Sequence, residues 1–354
     1  MSNFLIEYGL FVAKALTIIL SIIITVIFII GIVYSKKKHK EENYIEIENI
    51  HDKLEELQDN LESEILDKTT YKKLQKNKKK QKKSEEKSKK QSCKTTEEGI
   101  EAHRPRIFVL TFNGDLHASE TTNLREEISA ILTVAKKNDE VLVKLESSGG
   151  VVHNYGFAAA QLERIKQHHV NLIISVDLVA ASGGYMMACV ANKIIAAPFA
   201  ILGSIGVMAE LPNFNKLLEK HHVDIEHHTS GEYKTTLTML GKNTDKGRQK
   251  FIEELEDTHK LFKEFVKLHR PSINLEKIAT GEYWYGIESL ELNLIDEIQI
   301  SDDYLMKKSK DYDIYTIEYK IHESLKDKLT NALANLANAS NFILAKFNRK
   351  KIIN

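Results

Sequence analysis

Two hydrophobic periods alternate through the middle of this chain. "RIFVLTF" (Arg106–Phe112), "EVLVKLE" (Glu140–Glu146) and "VNLIISV" (Val170–Val176) are runs of aliphatic and aromatic residues with few polar interruptions, the texture of buried strands. Between them, "NLREEISAILTVAKK" (Asn123–Lys137) and "GFAAAQLERIKQ" (Gly156–Gln167) space their apolar residues three and four apart, as amphipathic helices do. Strand, helix, strand, helix, strand predicts an α/β fold of layered sheet and helices. Farther on, "IEHHTSGEYKT" (Ile225–Thr235) predicts a strand that ends in a polar loop. "TDKGRQKFIEELEDTHKLFKEFVKLHR" (Thr244–Arg270) predicts a long amphipathic helix stopped by Pro271. No internal repeat is visible.

The N-terminal third has a different pattern. Ala15–Tyr34 reads "ALTIILSIIITVIFIIGIVY" without a charge, and about 20 such residues at 1.5 Å each cross a bilayer's hydrocarbon layer. The run is too long for a signal-peptide core and no small-residue cleavage site follows it, so residues 1–35 predict a membrane anchor. "SKKKHK" directly after it puts the lysine excess on the C-terminal side, which places the remaining chain in the cytoplasm by the charge rule. Translocation of a large domain against that rule leaves the periplasm open. Residues 36–104 predict a charged linker: first an acidic stretch with Ile47, Ile50, Leu54, Leu57 and Leu61 in a coiled-coil-like stripe, then a lysine-rich, disordered tether from Lys72 to Lys94. Residues 105–320 hold the α/β domain, and residues 321–354 a helical tail that ends in basic residues. The apolar stretch Leu178–Ala209 is broken by Asn192, Lys193 and Pro198, so it predicts core helix and strands, not a second span.

Composition narrows the function. Lysines plus arginines equal aspartates plus glutamates at 50 each, so no global field attracts nucleic acid, and the two cysteines, Cys93 and Cys189, form neither a disulfide framework nor a metal motif.

The candidate chemistry lies at two glycine turns, each following a strand: "LESSGG" (Leu145–Gly150) and "ASGG" (Ala181–Gly184). Bare backbone amides in such turns can face a ligand and stabilise an oxyanion. Ser182 stands at the start of "GGYMMACVANKI", which predicts a helix; there it is either an N-cap or a nucleophile favoured by the helix dipole. For a base, His117 and His153 lie nearest the strand ends, whereas the pairs His168/His169, His221/His222 and His227/His228 suit the surface. A lysine made neutral by apolar surroundings is the other option, and Lys234 follows a small turn and precedes an apolar patch.

Taken in order and spacing, "ESSGGVVHNYGFAAAQL", "ASGGYMMACVANKIIAAPFAILGSIGV", "PNFNKLL", "SGEYKTTLT" and "GRQKF" resemble the signal peptide peptidase A family of serine proteases, from about Arg106 to about Ile300. The resemblance implies a Clp-protease/crotonase-like α/β fold carrying a Ser-Lys dyad, with Ser182 as nucleophile and Lys234 as general base. It places the oxyanion hole at Gly149 and Gly150, and makes Ser204 of "GSIGV" a candidate to orient Lys234 or to pack a tight turn. It also implies peptide or protein substrates, no cofactor or metal, no nucleic-acid partner, a bacterial inner-membrane location, and a homo-oligomer in which serine and lysine can come from neighbouring subunits. One departure is visible, since Ser148 stands where the family usually has proline, a change that removes no amide donor. A crotonase-like acyl-transfer enzyme and a non-catalytic membrane scaffold are the competing readings.

Overall fold

The computed structural model describes residues 43–78, 80 and 104–320, with scattered positions at 8–11, 14–18, 21 and 25. Most of the expected anchor, the tether beyond residue 80, Cys93 and the expected C-terminal tail lie outside the described residues. Among the described residues no helix is long and apolar enough to cross a membrane. Residues 45–319 form one compact unit; of the other, residues 1–44 and 320–354, only the scattered helical positions, Asn43, Tyr44 and Lys320 are described.

The expected alternation appears as β2 (Arg106–Gly114), α3 (Thr121–Val134), β3 (Glu140–Ser147), α4 (Val152–Gln167) and β4 (Asn171–Val176). The following apolar stretch folds as β5 (Val179–Ala181), α5 (Gly183–Ala188), β6 (Lys193–Ala196) and β7 (Ile201–Gly203), mostly inside the core as expected, whereas Leu178, Phe199 and Met208 of the same stretch are exposed. Then come α6 (Asn215–Lys220), α7 (Asp245–His269), α8 (Leu275–Ile278), β8 (Tyr283–Tyr285), α9 (Gly286–Glu291), β9 (Glu297–Ile298), α10 (Ser301–Lys308) and β10 (Asp313–Lys320).

Two expectations for residues 36–104 change. The stripe beginning at Ile47 divides, because Tyr44–Asn49 is strand β1 and only Ile50–Ile65 is helix α1, started by the Asn49 side chain accepting the His51 N–H at 2.9 Å. Residues 68–78, which overlap the expected tether, form helix α2. It is held by Lys78, whose ammonium donates to Asp59 and Glu62 of α1, both at 2.8 Å.

Among the described residues the sheet runs β1-β10-β2-β3-β4-β6-β9, parallel from β10 to β9. Side chains alternate across it. Phe108, Leu110, Val141, Val143 and Ile174 join one core with α3, α4 and α5, while Ile107, Val109, Leu142, Ile173 and Ile195 pack with Tyr304 and Leu305 of α10. Each such buried side chain contributes roughly 1.5–3 kcal/mol, and a parallel sheet needs both faces covered.

The sheet forks at the end of β3. Its residues 140–144 pair with β4, but Ser147 pairs with Ala180 of β5, which leads through β7 to the antiparallel β8. A second divergence opens between β2 and β10, whose pairing stops at Val109↔Thr316 although both strands continue. Carboxylates take up the freed amides: Glu120 accepts from Asn113 N–H at 2.7 Å and Glu127 from Tyr319 N–H at 2.8 Å. Burial raises the Glu127 carboxyl from 4.5 to about 7.

Candidate active site

The fork delivers β5 directly into Ser182. This residue links strand to helix with φ 51° and ψ −118°, a left-handed conformation that costs a non-glycine residue about 1–3 kcal/mol. Its N–H is fixed by Gly203 O at 2.8 Å, and its O accepts the Met186 N–H at 2.9 Å. The hydroxyl makes no capping hydrogen bond, so the N-cap reading of Ser182 is not realised. A serine carried on a sharp, strained strand-to-helix turn is the arrangement that exposes an attacking oxygen at the N-terminus of a helix. Helix α5 is six residues long, shorter than expected, because Asn192 docks on β4: its side chain accepts from Leu172 N–H and its own N–H donates to Leu172 O, both at 2.9 Å.

The turn after β3 lies against this serine. A side chain at Gly149 (φ +87°) would put its Cβ 2.7 Å from the Ser182 Cβ and from the Gly183 nitrogen, so the two turns touch with no room for any residue but glycine. The Gly149 amide donates to Ser147 Oγ at 3.0 Å; the Gly150 amide has no hydrogen-bond partner among the described residues. Beneath the turn lies a polar chain that the sequence did not reveal. Tyr155 O–H donates to Asp115 O at 2.6 Å, which leaves its oxygen to accept from Ser147 Oγ–H at 2.6 Å, which in turn accepts the Gly149 amide. Burial pushes the Tyr155 hydroxyl above its ordinary pKa, keeping it a neutral donor. Ser147 and Tyr155 stand eight residues apart across a loop and the first turn of α4, a spacing with no recognisable periodicity.

The other expected residues are placed less closely. Ser204 follows β7 at φ 51°, half-buried, with its N–H donating to Glu282 O at 2.8 Å; its hydroxyl has no partner among the described residues. His117 and His153 are exposed and neither ring bonds a serine, and the three histidine pairs are exposed as expected. Lys234 is exposed, its N–H donates to Gly231 O at 3.2 Å, and its ammonium has no partner among the described residues. It sits in residues 206–240, where α6 is the only regular element among the described residues and the strand expected before Thr229 is absent. This segment holds its large apolar residues in solvent, with Met208 83% and Leu217 53% exposed. A lone strand has no ladder partner here, which is why Val223 and Ile225 form none.

Comparison with known proteins adds an independent line. A family model described as Peptidase family S49 N-terminal matches residues 3–162, and one described as Peptidase family S49 matches residues 164–314. The chain is 49% identical over 327 residues to a probable protease SohB of Haemophilus influenzae, covering 92% of each. It is 46% identical over 352 residues to a probable protease SohB of Buchnera aphidicola subsp. Schizaphis graminum, covering 99% of this chain and 100% of the relative. A putative signal peptide peptidase SppA of Enterococcus faecium is 30% identical over 64% of this chain and 70% of its own length. Among solved structures, a point mutant of the 1510-N membrane-bound stomatin-specific protease superposes with a TM-score of 0.39 at 15% identity, over 58% of this chain and 86% of that one.

Proposed function

The chain belongs to peptidase family S49, and from that membership we propose that it is a membrane-anchored serine endopeptidase with Ser182 as nucleophile and Lys234 as general base. The observation that carries the reading is the strained, uncapped Ser182 pressed against the Gly149 turn. In this reading the free amine of Lys234 takes the Ser182 proton as the hydroxyl oxygen attacks a peptide carbonyl. The Gly149–Gly150 turn is the oxyanion hole, with the Gly150 amide its unengaged donor and the first-turn amides of α5 beside it. Lysine then protonates the departing amine, and water cleaves the acyl-enzyme. Ser204 orients Lys234 through its unpartnered hydroxyl.

The exposure of Lys234, together with the uncovered apolar side chains of residues 206–240, supports completion of the dyad in a homo-oligomer, where a neighbouring copy covers this segment. The apolar run at residues 15–34 supports an inner-membrane anchor, and the lysines of "SKKKHK" directly after it support a cytoplasmic peptidase domain.

A fluorophosphonate probe applied to the full-length protein in detergent tests the nucleophile: Ser182 is labelled, and Ser182→Ala abolishes labelling. Lys234→Ala tests the base. Loss of cleavage of an unstructured peptide is expected, and cleavage at the parent rate rules the dyad out. Absence of labelling in the assembled protein rules in favour of the crotonase-like or scaffold reading.

A further inference from the structure

Helix α1 carries an apolar face that no other described residue covers. Leu57, Leu61 and Ile65 are 53%, 63% and 76% exposed, and with Leu54 they rim a hollow of about 490 Å³. The same 16-residue helix holds six carboxylates and one lysine. Lys78 takes two of those carboxylates, whereas Asp52, Glu56 and Glu64 have no cationic partner among the described residues.

A complementary surface lies elsewhere on the fold. The second half of α7 and the start of α8 bound an open groove of about 740 Å³, floored by Leu268 and Leu275 and rimmed by Lys260, Lys263 and Lys267. Leu268 is 75% exposed. Lys267 donates to its own backbone at Pro271 and Ile273, but Lys260 and Lys263 have no carboxylate partner among the described residues. Glu264 and Glu276 also line the groove and leave it with a positive excess.

The two surfaces stand at opposite edges of the sheet. Helix α1 leaves the edge strand β1, whereas the end of α7 is clamped by the paired hydrogen bonds of Arg270 to Asp296, each 2.9 Å, immediately before the other edge strand β9. Six strand spacings separate those edges, roughly 29 Å at about 4.8 Å each. An acidic leucine face at one edge and a lysine-rimmed apolar groove at the other are placed to mate between copies, not within one. We propose that α1 of one copy docks in the α7–α8 groove of the next, a head-to-tail contact that extends an assembly by one copy at each step. It does not depend on the peptidase reading.

Crosslinking of the full-length protein in detergent tests this. In a Cys93→Ser background, with Cys189 buried, Leu61→Cys and Leu268→Cys are prepared separately and treated with a short bismaleimide. Both positions are exposed, so neither change disturbs the core. The expected result is a covalent dimer only when the two proteins are mixed, lost in high salt and lost when the Leu268→Cys partner also carries Lys260→Glu and Lys263→Glu. Restoration by Glu56→Lys with Glu64→Lys in the Leu61→Cys protein confirms the pairing of charges. Crosslinking of Leu61→Cys with itself overturns the proposal in favour of an α1–α1 contact. Absence of crosslinking in the mixture, with or without vesicle binding by the leucine face, overturns it altogether.

Discussion

Replacing Ser182 by glycine and by alanine separates two properties that a nucleophile usually confounds. Both variants lose the hydroxyl, so peptide cleavage falls to background in each. They differ in the backbone. Alanine keeps the Cβ and with it the cost of φ 51°, ψ −118°, about 1–3 kcal/mol, whereas glycine adopts that conformation freely. Glycine loses roughly 0.4–1 kcal/mol through its looser unfolded chain. The net expectation is that Ser182→Gly is more stable than Ser182→Ala by about 1 kcal/mol, or roughly 2–4 °C in Tm for a folded unit of this size. Thermal unfolding of both full-length variants in the same detergent, followed by Trp284 fluorescence, measures the difference. If Ser182→Gly melts at or below Ser182→Ala, the turn stores no strain and the structural case for Ser182 as an attacking group fails.

Three further outcomes are expected. Because burial raises Glu127 to about 7 against an ordinary 4.5, the unfolded chain releases this proton before the folded one does. Stability therefore falls as pH rises from about 4.5 to 7, by about 3 kcal/mol in total, and levels off above that window. Glu127→Gln removes most of the fall, so its Tm and the parent's converge near pH 4.5 and separate by roughly 6–12 °C at pH 8; parallel curves would contradict the assignment. Tyr155→Phe strips the donor from Asp115 O and the acceptor from Ser147, costing about 1–3 kcal/mol in urea unfolding and lowering kcat more than it changes KM. Gly149→Ala forces a Cβ to within 2.7 Å of Ser182, and fluorophosphonate labelling of Ser182 is lost even where circular dichroism shows the fold retained.

Much of the sheet is legible in the sequence because parallel strands covered on both faces must be apolar nearly throughout, as Val141–Val143 and Leu172–Ile174 are. The small residues around Ser182 are legible for a related reason: a turn wedged against another turn excludes side chains. What escapes is set by distant partners. Asn192 ends α5 by bonding β4, twenty residues back, and the Tyr155–Ser147–Gly149 chain needs a helix and a turn already in place. Ile47 joins a strand and not the helix stripe because β10, more than 260 residues later, offers an edge. The segment holding Lys234 reads as strand and loop, yet among the described residues it finds no strand to pair with and leaves most of its side chains exposed.

The touching turns at Gly149 and Ser182 have an evolutionary corollary. Thirty-three positions apart in the chain, they meet with no room for a methyl group on residue 149, whose identity is therefore fixed by backbone remote from it in sequence. In a library randomised at both positions, survivors selected for folding will keep residue 149 as glycine whatever occupies 182. Survivors selected for turnover will return the pair as a single inherited unit.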